Sequence, residues 1–229
     1  MKYRFALLIV LACICSVLAE AKVKLPSVLS DGMVLQRERP IKIWGTADPG
    51  ENVVVTFKKK KYTAVADENG KWLVTLPAMK AGGPYELTVN EMTVKDILIG
   101  DVWLCSGQSN MELTVARVAD MFGRETATYE NSMVRYVKTP YGNDLHGPKE
   151  DISQMNWTAL NPQVAQSYAA LPYFFAIEHS HEPPPETFLP ELLVFRLYGI
   201  RQLADVIGHS VRKQSFFTVI FWAFNPDIE

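Results

Sequence analysis

The chain has 229 residues, enough for one large domain or two small ones, with 48% apolar, 21% charged and 11% aromatic residues. That balance excludes a disordered or collagen-like chain. A formal charge of −2, from 23 basic and 25 acidic groups, lacks the basic footprint of a nucleic-acid binder.

Residues 1–21 read as a secretory signal. Lys2 and Arg4 form a basic start, Phe5 to Leu18 is almost unbroken apolar text, and Ala19-Glu20-Ala21 fits an A-x-A cleavage site. The apolar run is short for a membrane span of roughly 20 residues. Export through a signal peptide is therefore expected, to a secreted, periplasmic or lysosomal location, with no stable membrane span after cleavage. Cleavage would remove two of the three cysteines, Cys13 and Cys15, and leave Cys105 alone. No internal disulfide would then be available, so packing must hold the core. Cys105 lies in the apolar run Val102-Trp103-Leu104-Cys105 and reads as a buried, inert thiol.

Residues 22–95 are β text. Short apolar or alternating runs recur at Met33–Leu35, Ile41–Trp44, Val53–Phe57, Trp72–Leu76 and Tyr85–Val89. Turn signals separate them, at Asp31-Gly32, Asp48-Pro49-Gly50, Glu68-Asn69-Gly70 and Gly82-Gly83-Pro84. Strands at this spacing predict a small β-sandwich. Lys58 to Lys61 reads as a solvated hairpin end that blunts a sheet edge, in preference to a polyanion patch.

From residue 96 the pattern changes. Asp96–Gly100 and Val102–Cys105 are apolar, as in strands covered on both faces. Ser106-Gly107-Gln108-Ser109-Asn110 is a small-residue turn, and Met111, Val115, Val118 and Met121 or Phe122 then fall at helical spacing. Strand, tight turn and helix make the start of an α/β unit. Met133–Val137 is a further strand, and Ala165–Ile177 a second helix that must accommodate Pro172. Asn156-Trp157-Thr158 is a glycosylation sequon, relevant in a eukaryotic host.

The chemistry concentrates at Gly107-Gln108-Ser109-Asn110. A serine on a sharp turn before a helix would lie beside the free N–H groups of the first helical turn, which favour an oxyanion. Gly107 gives the turn freedom and leaves space for a substrate. The same residues also fit a helix capping box, Ser109-Asn110-Met111-Glu112. On four residues both readings stay open.

The longer text Gly100-Asp101-Val102-Trp103-Leu104-Cys105-Ser106-Gly107-Gln108-Ser109-Asn110-Met111-Glu112 resembles the nucleophile block of the sialate O-acetylesterases, within the SGNH (GDSL-type) hydrolase superfamily. Leu29–Arg37, Ile43-Trp44-Gly45, Asp67–Trp72 and Ala81–Leu87 are similar to that family's N-terminal β-domain. Asn161-Pro162, Ser167–Ala170 and Tyr173–Ala176 are similar to the text before its second conserved block, so the resemblance runs over residues 24–176. It implies an α+β chain: an N-terminal β-sandwich (22–95), then part of a flavodoxin-like three-layer α/β esterase domain (96–177).

The resemblance makes Ser109 the nucleophile of an esterase that removes O-acetyl groups from sialic acids through an acetyl-enzyme. Its backbone N–H would help bind the oxyanion, with Gly107, Gln108 and Asn110 shaping the turn. No metal or organic cofactor is implied. The partner is an O-acetylated sialic acid or a related acetylated carbohydrate, such as acetylated xylan. A non-catalytic secreted binding or decoy protein is the reading outside enzymes.

A serine hydroxyl needs a base to take its proton. The family supplies one from an Asp-x-x-His segment and completes its oxyanion hole from a glycine and an asparagine in intervening blocks. None occurs here in a matching context. Gly142-Asn143-Asp144 comes too early, Asp144-Leu145-His146 and Asp205–His209 have the wrong spacing, and His179 and His181 lack partners for a metal site. Residues 178–229 depart from the family text. Leu193, Leu197, Ile200, Ala204 and Ile207 repeat as an amphipathic helix would, and Phe216–Phe224 is an apolar segment suited to edge pairing. The expectation is an esterase domain that stops early, as in a frameshifted or alternatively spliced product, inactive or nearly so, with marginal folding of residues 96–229.

Overall fold

A computed structural model describes residues 23–107, 113–139, 151–152, 154–180, 194–196 and 216–222. The expected signal segment, 1–21, lies outside these residues.

The first half is strands: β1 (Val34–Gln36), β2 (Ile41–Thr46), β3 (Asn52–Phe57), β4 (Lys60–Val65), β5 (Lys71–Leu76) and β6 (Gly82–Val89). β2 and β5 pair antiparallel as a two-stranded sheet, and β4-β3-β6 runs antiparallel into a larger one. Alternation sets the faces: Val53, Val55 and Phe57 of β3 point inward with Trp72, Val74 and Leu76 of β5. These join Ile41, Ile43, Leu87 and Val89 in one buried cluster.

Every strand read from the sequence in this region is present, and β4 is an addition. Its two lysines and half-exposed pattern hide it from a hydrophobicity reading. Lys58 and Lys59 form the two-residue turn between β3 and β4, both at positive φ (47° and 63°), the geometry of a twist-matched hairpin turn. They are exposed, and the Lys58 ammonium lies 4.5 Å from the centre of the Tyr85 ring.

β7 (Met92–Gly107) connects the two halves. The sequence suggested two runs, but the strand is continuous through Gly100-Asp101 and crosses position 95/96. β6 pairs antiparallel with its first part and β1 parallel with Leu98–Gly100. Its last part, Asp101–Gly107, pairs antiparallel with β11 (Phe216–Trp222), and Trp103–Cys105 also pairs with β10 (Val194–Arg196). β11 lies between β7 and β8 (Asn131–Lys138), and β9 (Thr158–Leu160) pairs with the outer side of β8. The sheet is therefore mixed. The apolar segment near residue 216 does pair with strand edges. The amphipathic helix read over residues 193–207 is contradicted at Val194–Arg196, whose backbone groups join the β7 ladder instead. The rest of that repeat lies outside the described residues.

The helices pack near this second part. A 3₁₀ turn (Val115–Val118) leads into α1 (Ala119–Thr128), and α2 (Pro162–Ala165) is followed by α3 (Ala170–Ser180). The helix expected over 165–177 is thus broken at residues 166–169. Pro172 sits in the first turn of α3, where its missing N–H costs no intrahelical bond. A second buried cluster forms here from Trp103, Val115, Val134, Tyr136, Leu160, Tyr168, Tyr173 and Ala176. The larger cluster also crosses the middle of the chain, since it includes Val102, Leu104 and Val137.

Candidate active site

β7 ends at Gly107, the first residue of the expected nucleophile turn. Asp101, Val102, Trp103, Leu104 and Cys105 are all buried, as a strand covered on both faces requires. Alternation sends Val102 and Leu104 into the larger cluster and Trp103 into the smaller one, edge-on to Phe175 with ring centres 5.3 Å apart. Gly107 ends the strand opposite Phe216. Gln108, Ser109 and Asn110 lie outside the described residues, which resume at Leu113.

The chain after the turn is fixed against the 166–170 segment. Ala170 N–H donates to the Leu113 carbonyl (2.7 Å), Val115 N–H to that of Tyr168 (2.9 Å) and Ala116 N–H to that of Gln166 (3.2 Å). Thr114 and Ala169 form an antiparallel bridge. The family-like text Ser167-Tyr168-Ala169-Ala170 therefore braces Leu113–Ala116, where the described chain resumes. Asn161 orders the approach to it, capping α2 by accepting from Gln163 N–H (3.1 Å) and Val164 N–H (3.0 Å).

These contacts correct the expected helix over 111–121. Thr114 is extended (φ −80°, ψ 158°), and the first helical residues are 115–118. The N–H groups of Val115 and Ala116 are taken by carbonyls some fifty residues away in the chain, which blocks an i to i−4 ladder there. Thr114 makes no side-chain cap on this helix, and the capping-box text at 109–112 lies outside the described residues. Val115 and Val118 are buried as expected, but Met121 is 74% exposed because the helix turns at Phe122.

Buried polar residues lock β1 onto β7 upstream of the turn. Asp101 Oδ2 accepts from Arg37 Nε at 3.1 Å and lies 3.0 Å from Arg37 Nη2. Gln36 Oε1 accepts from Val102 N–H (3.0 Å), and Gln36 Nε2 donates to Asp101 Oδ1 (3.4 Å). A second pair joins Arg135 on β8 to Asp96 on β7, with Nη2 2.9 and 2.8 Å from the two carboxylate oxygens. In the sequence only the family-like text around Gln36-Arg37 and Asp101 marked the first group. Nothing marked the second.

Cys105 is buried, and burial pushes its thiol up to about 12, so it stays protonated and is no nucleophile at neutral pH. Burial likewise raises the Tyr168 hydroxyl to about 12; a 2.6 Å contact with Thr158 Oγ1 opposes this in part. Gly142, Asn143, Asp144, His146, His181, Asp205 and His209 lie outside the described residues, as does the side chain of His179. Among the described residues no group of histidine, cysteine or acidic side chains could hold a metal ion, and no helix is long and apolar enough to cross a membrane.

No protein-family model matches the chain. Sialate O-acetylesterases from Homo sapiens and Pongo abelii are each 40% identical to it over 128 residues, covering 48% of this chain and 24% of each relative. That of Mus musculus is 39% identical over 122 residues. Over the matched residues the chain is similar to the sialate O-acetylesterases. It spans about a quarter of the length of these relatives. A crystal structure of a carbohydrate acetylesterase from Xanthomonas citri superposes with a TM-score of 0.62 at 33% identity, over 70% of this chain and 38% of that one. The likeness to that structure is consistent with an α+β fold rich in sheet.

Proposed function

We propose that this chain carries the N-terminal part of a serine acetylesterase acting on O-acetylated sialic acids, with Ser109 as nucleophile. Support comes chiefly from the 40% identity to curated sialate O-acetylesterases. In this reading Ser109 Oγ attacks the ester carbonyl, the sugar alkoxide leaves with a proton, and water then releases acetate from the acetyl-enzyme. The Ser109 N–H, with Gly107, Gln108 and Asn110 shaping the turn, would stabilise the oxyanion. The neighbour from Xanthomonas citri supports the wider class of carbohydrate acetylesterases as the alternative.

The finer architecture belongs to the same proposal: a β-sandwich over 22–95, then the opening of an SGNH-type three-layer unit over 96–177. The two sheets that share one core, and the burial of β7 on both faces, support it. Export through residues 1–21 is part of it as well.

No Asp-x-x-His string occurs in the 229 residues, so Ser109 has no matching base and turnover by this chain alone should lie near background. The test is hydrolysis of a chromogenic acetate ester by the purified chain and by Ser109→Ala, with and without added imidazole as a substitute base. The expected result is a rise with imidazole in the parent that Ser109→Ala lacks. An equal rise in both proteins would sink the nucleophile assignment. Strong hydrolysis without imidazole, lost in Ser109→Ala, would keep the nucleophile and overturn the missing base. Where hydrolysis is seen, O-acetylated sialic acid against acetyl-xylan then separates the two sugars.

A further inference from the structure

Asn156-Trp157-Thr158 is the single N-x-[ST] sequon in the sequence, and the esterase reading makes no use of it. The residues around Asn156 are held firmly. Met155 is buried, and the Trp157 indole N–H donates to the Val28 carbonyl at 2.8 Å. Thr158 opens β9, opposite Tyr136 of β8. Between these anchors Asn156 is exposed, next to a bend where Gln154 takes φ 68°. A large substituent on its amide would extend into water without displacing a packed group among the described residues.

Thr158 is placed differently. Its hydroxyl donates to the Tyr136 carbonyl (3.2 Å) and lies 2.6 Å from the Tyr168 hydroxyl. A sequon must present that hydroxyl and an extended backbone to the transferase. In the folded chain both are engaged by β8 and Tyr168, so the folded protein is a poor acceptor and the nascent chain an open one.

We propose that Asn156 accepts an N-linked glycan in a eukaryotic secretory pathway, and that it does so before β9 pairs with β8. The donor is a lipid-pyrophosphate-linked oligosaccharide. Asn156 Nδ2 forms a bond to C1 of the reducing-end sugar, the C1–O bond to the pyrophosphate breaks, and the amide proton goes to the transferase base as the lipid pyrophosphate leaves. The inference rests on the export reading of residues 1–21, so the test separates the two.

The full chain would be made in secretory eukaryotic cells with its own residues 1–21 and, in parallel, with an established leader in their place. The readout is the mobility shift on peptide-N-glycosidase treatment, with conversion of Asn156 to aspartate followed by mass spectrometry. One shift is expected, absent in Asn156→Gln and Thr158→Val and retained in Thr158→Ser. Chain diluted from urea into transferase and donor should take up sugar, and prefolded chain should not. A glycan seen only with the substituted leader supports the site and shows that export through residues 1–21 fails. No glycan with either leader overturns the site. Equal uptake by folded and unfolded chain overturns the order of events.

Discussion

Arg37, one residue beyond β1, and Asp101, in the middle of β7, form an ion pair whose acidic partner is buried and whose arginine reaches the surface. Asp101 Oδ2 lies 3.1 Å from Arg37 Nε and 3.0 Å from Arg37 Nη2, with side-chain exposures of 18% for Arg37 and 1% for Asp101. An acidic residue in a strand buried on both faces is tolerable only with such partners. The pair therefore ties the Leu29–Arg37 segment to β7, Arg37 neutralising Asp101. Arg37→Met, which leaves Asp101 charged and buried, should destabilise the chain by about 3–5 kcal/mol. Arg37→Met/Asp101→Leu should recover much of that loss in urea unfolding. A double variant no more stable than the single would mean that the cost comes from lost packing of the arginine stem.

Gly45 illustrates a different constraint. A Cβ at this position would lie 2.1 Å from the Lys24 carbonyl oxygen and 2.9 Å from the Trp72 ring. The Lys24–Thr46 bridge, with N–H to O distances of 2.8 and 2.9 Å, would have to open. Gly45→Ala should cost at least the roughly 1–3 kcal/mol typical of overpacking. A Cβ at Gly123 in α1 would meet no atom of the described residues within 4 Å, so Gly123→Ala should be neutral or stabilise by up to about 1 kcal/mol. Equal midpoints for the two variants in urea would refute the packing of residues 23–25 against β2.

The contrast between the two halves of the chain has a physical origin. β2, β3 and β5 bury alternate residues on one face and turn residues bound them, so local pattern reveals them. β4 was hidden because it is a lysine-bearing edge with little burial to mark it. β7 looked interrupted because Gly100-Asp101 reads as a break until Arg37 and Gln36 supply the partners. The start of the 3₁₀ turn and α1 is decided by carbonyls at 166 and 168, which no local pattern reveals. The insertion of β11 between β7 and β8 depends on contacts about a hundred residues apart, and an apolar run says only that it will pair. Ser109 is marked by its motif alone and lies outside the described residues, while the fixing of Leu113–Ala116 by the 166–170 segment is visible only in the structure.

That brace depends in part on Asn161. Its side chain accepts from the N–H groups of Gln163 and Val164, and the short α2 then hands the chain to the 166–170 carbonyls that hold Val115 and Ala116. Asn161→Ala should cost about 1 kcal/mol, and Asn161→Asp should restore most of it. Amide hydrogen exchange gives the sharper readout. Val115 and Ala116 should lose protection in Asn161→Ala while Val55 and Leu87, in the other cluster, keep theirs. Uniform loss at all four would show that Asn161 stabilises the whole fold and has no local effect.

Alkaline pH should expose the buried thiol. Cys105 is pushed by burial from an ordinary value of 9.0 to about 12. Below 9.0 the thiol is protonated in both folded and unfolded chains and contributes no pH dependence. Above it the unfolded chain releases the proton while the folded chain keeps it, so the unfolded state binds fewer protons and stability falls with rising pH until the folded thiol titrates near 12. At about pH 10 the loss from this group is about 1.4 kcal/mol. Tyr168, raised from 10.0 to about 12, adds a fall of the same sign at higher pH. Urea midpoints of the parent and of Cys105→Ala, taken at about pH 7.5 and about pH 10, isolate the thiol. The variant should start lower, because it loses the packed sulfur, and decline less between the two conditions. Identical declines would mean that Cys105 titrates as freely in the folded chain as in the unfolded one, contrary to its burial beside Trp103 on β7.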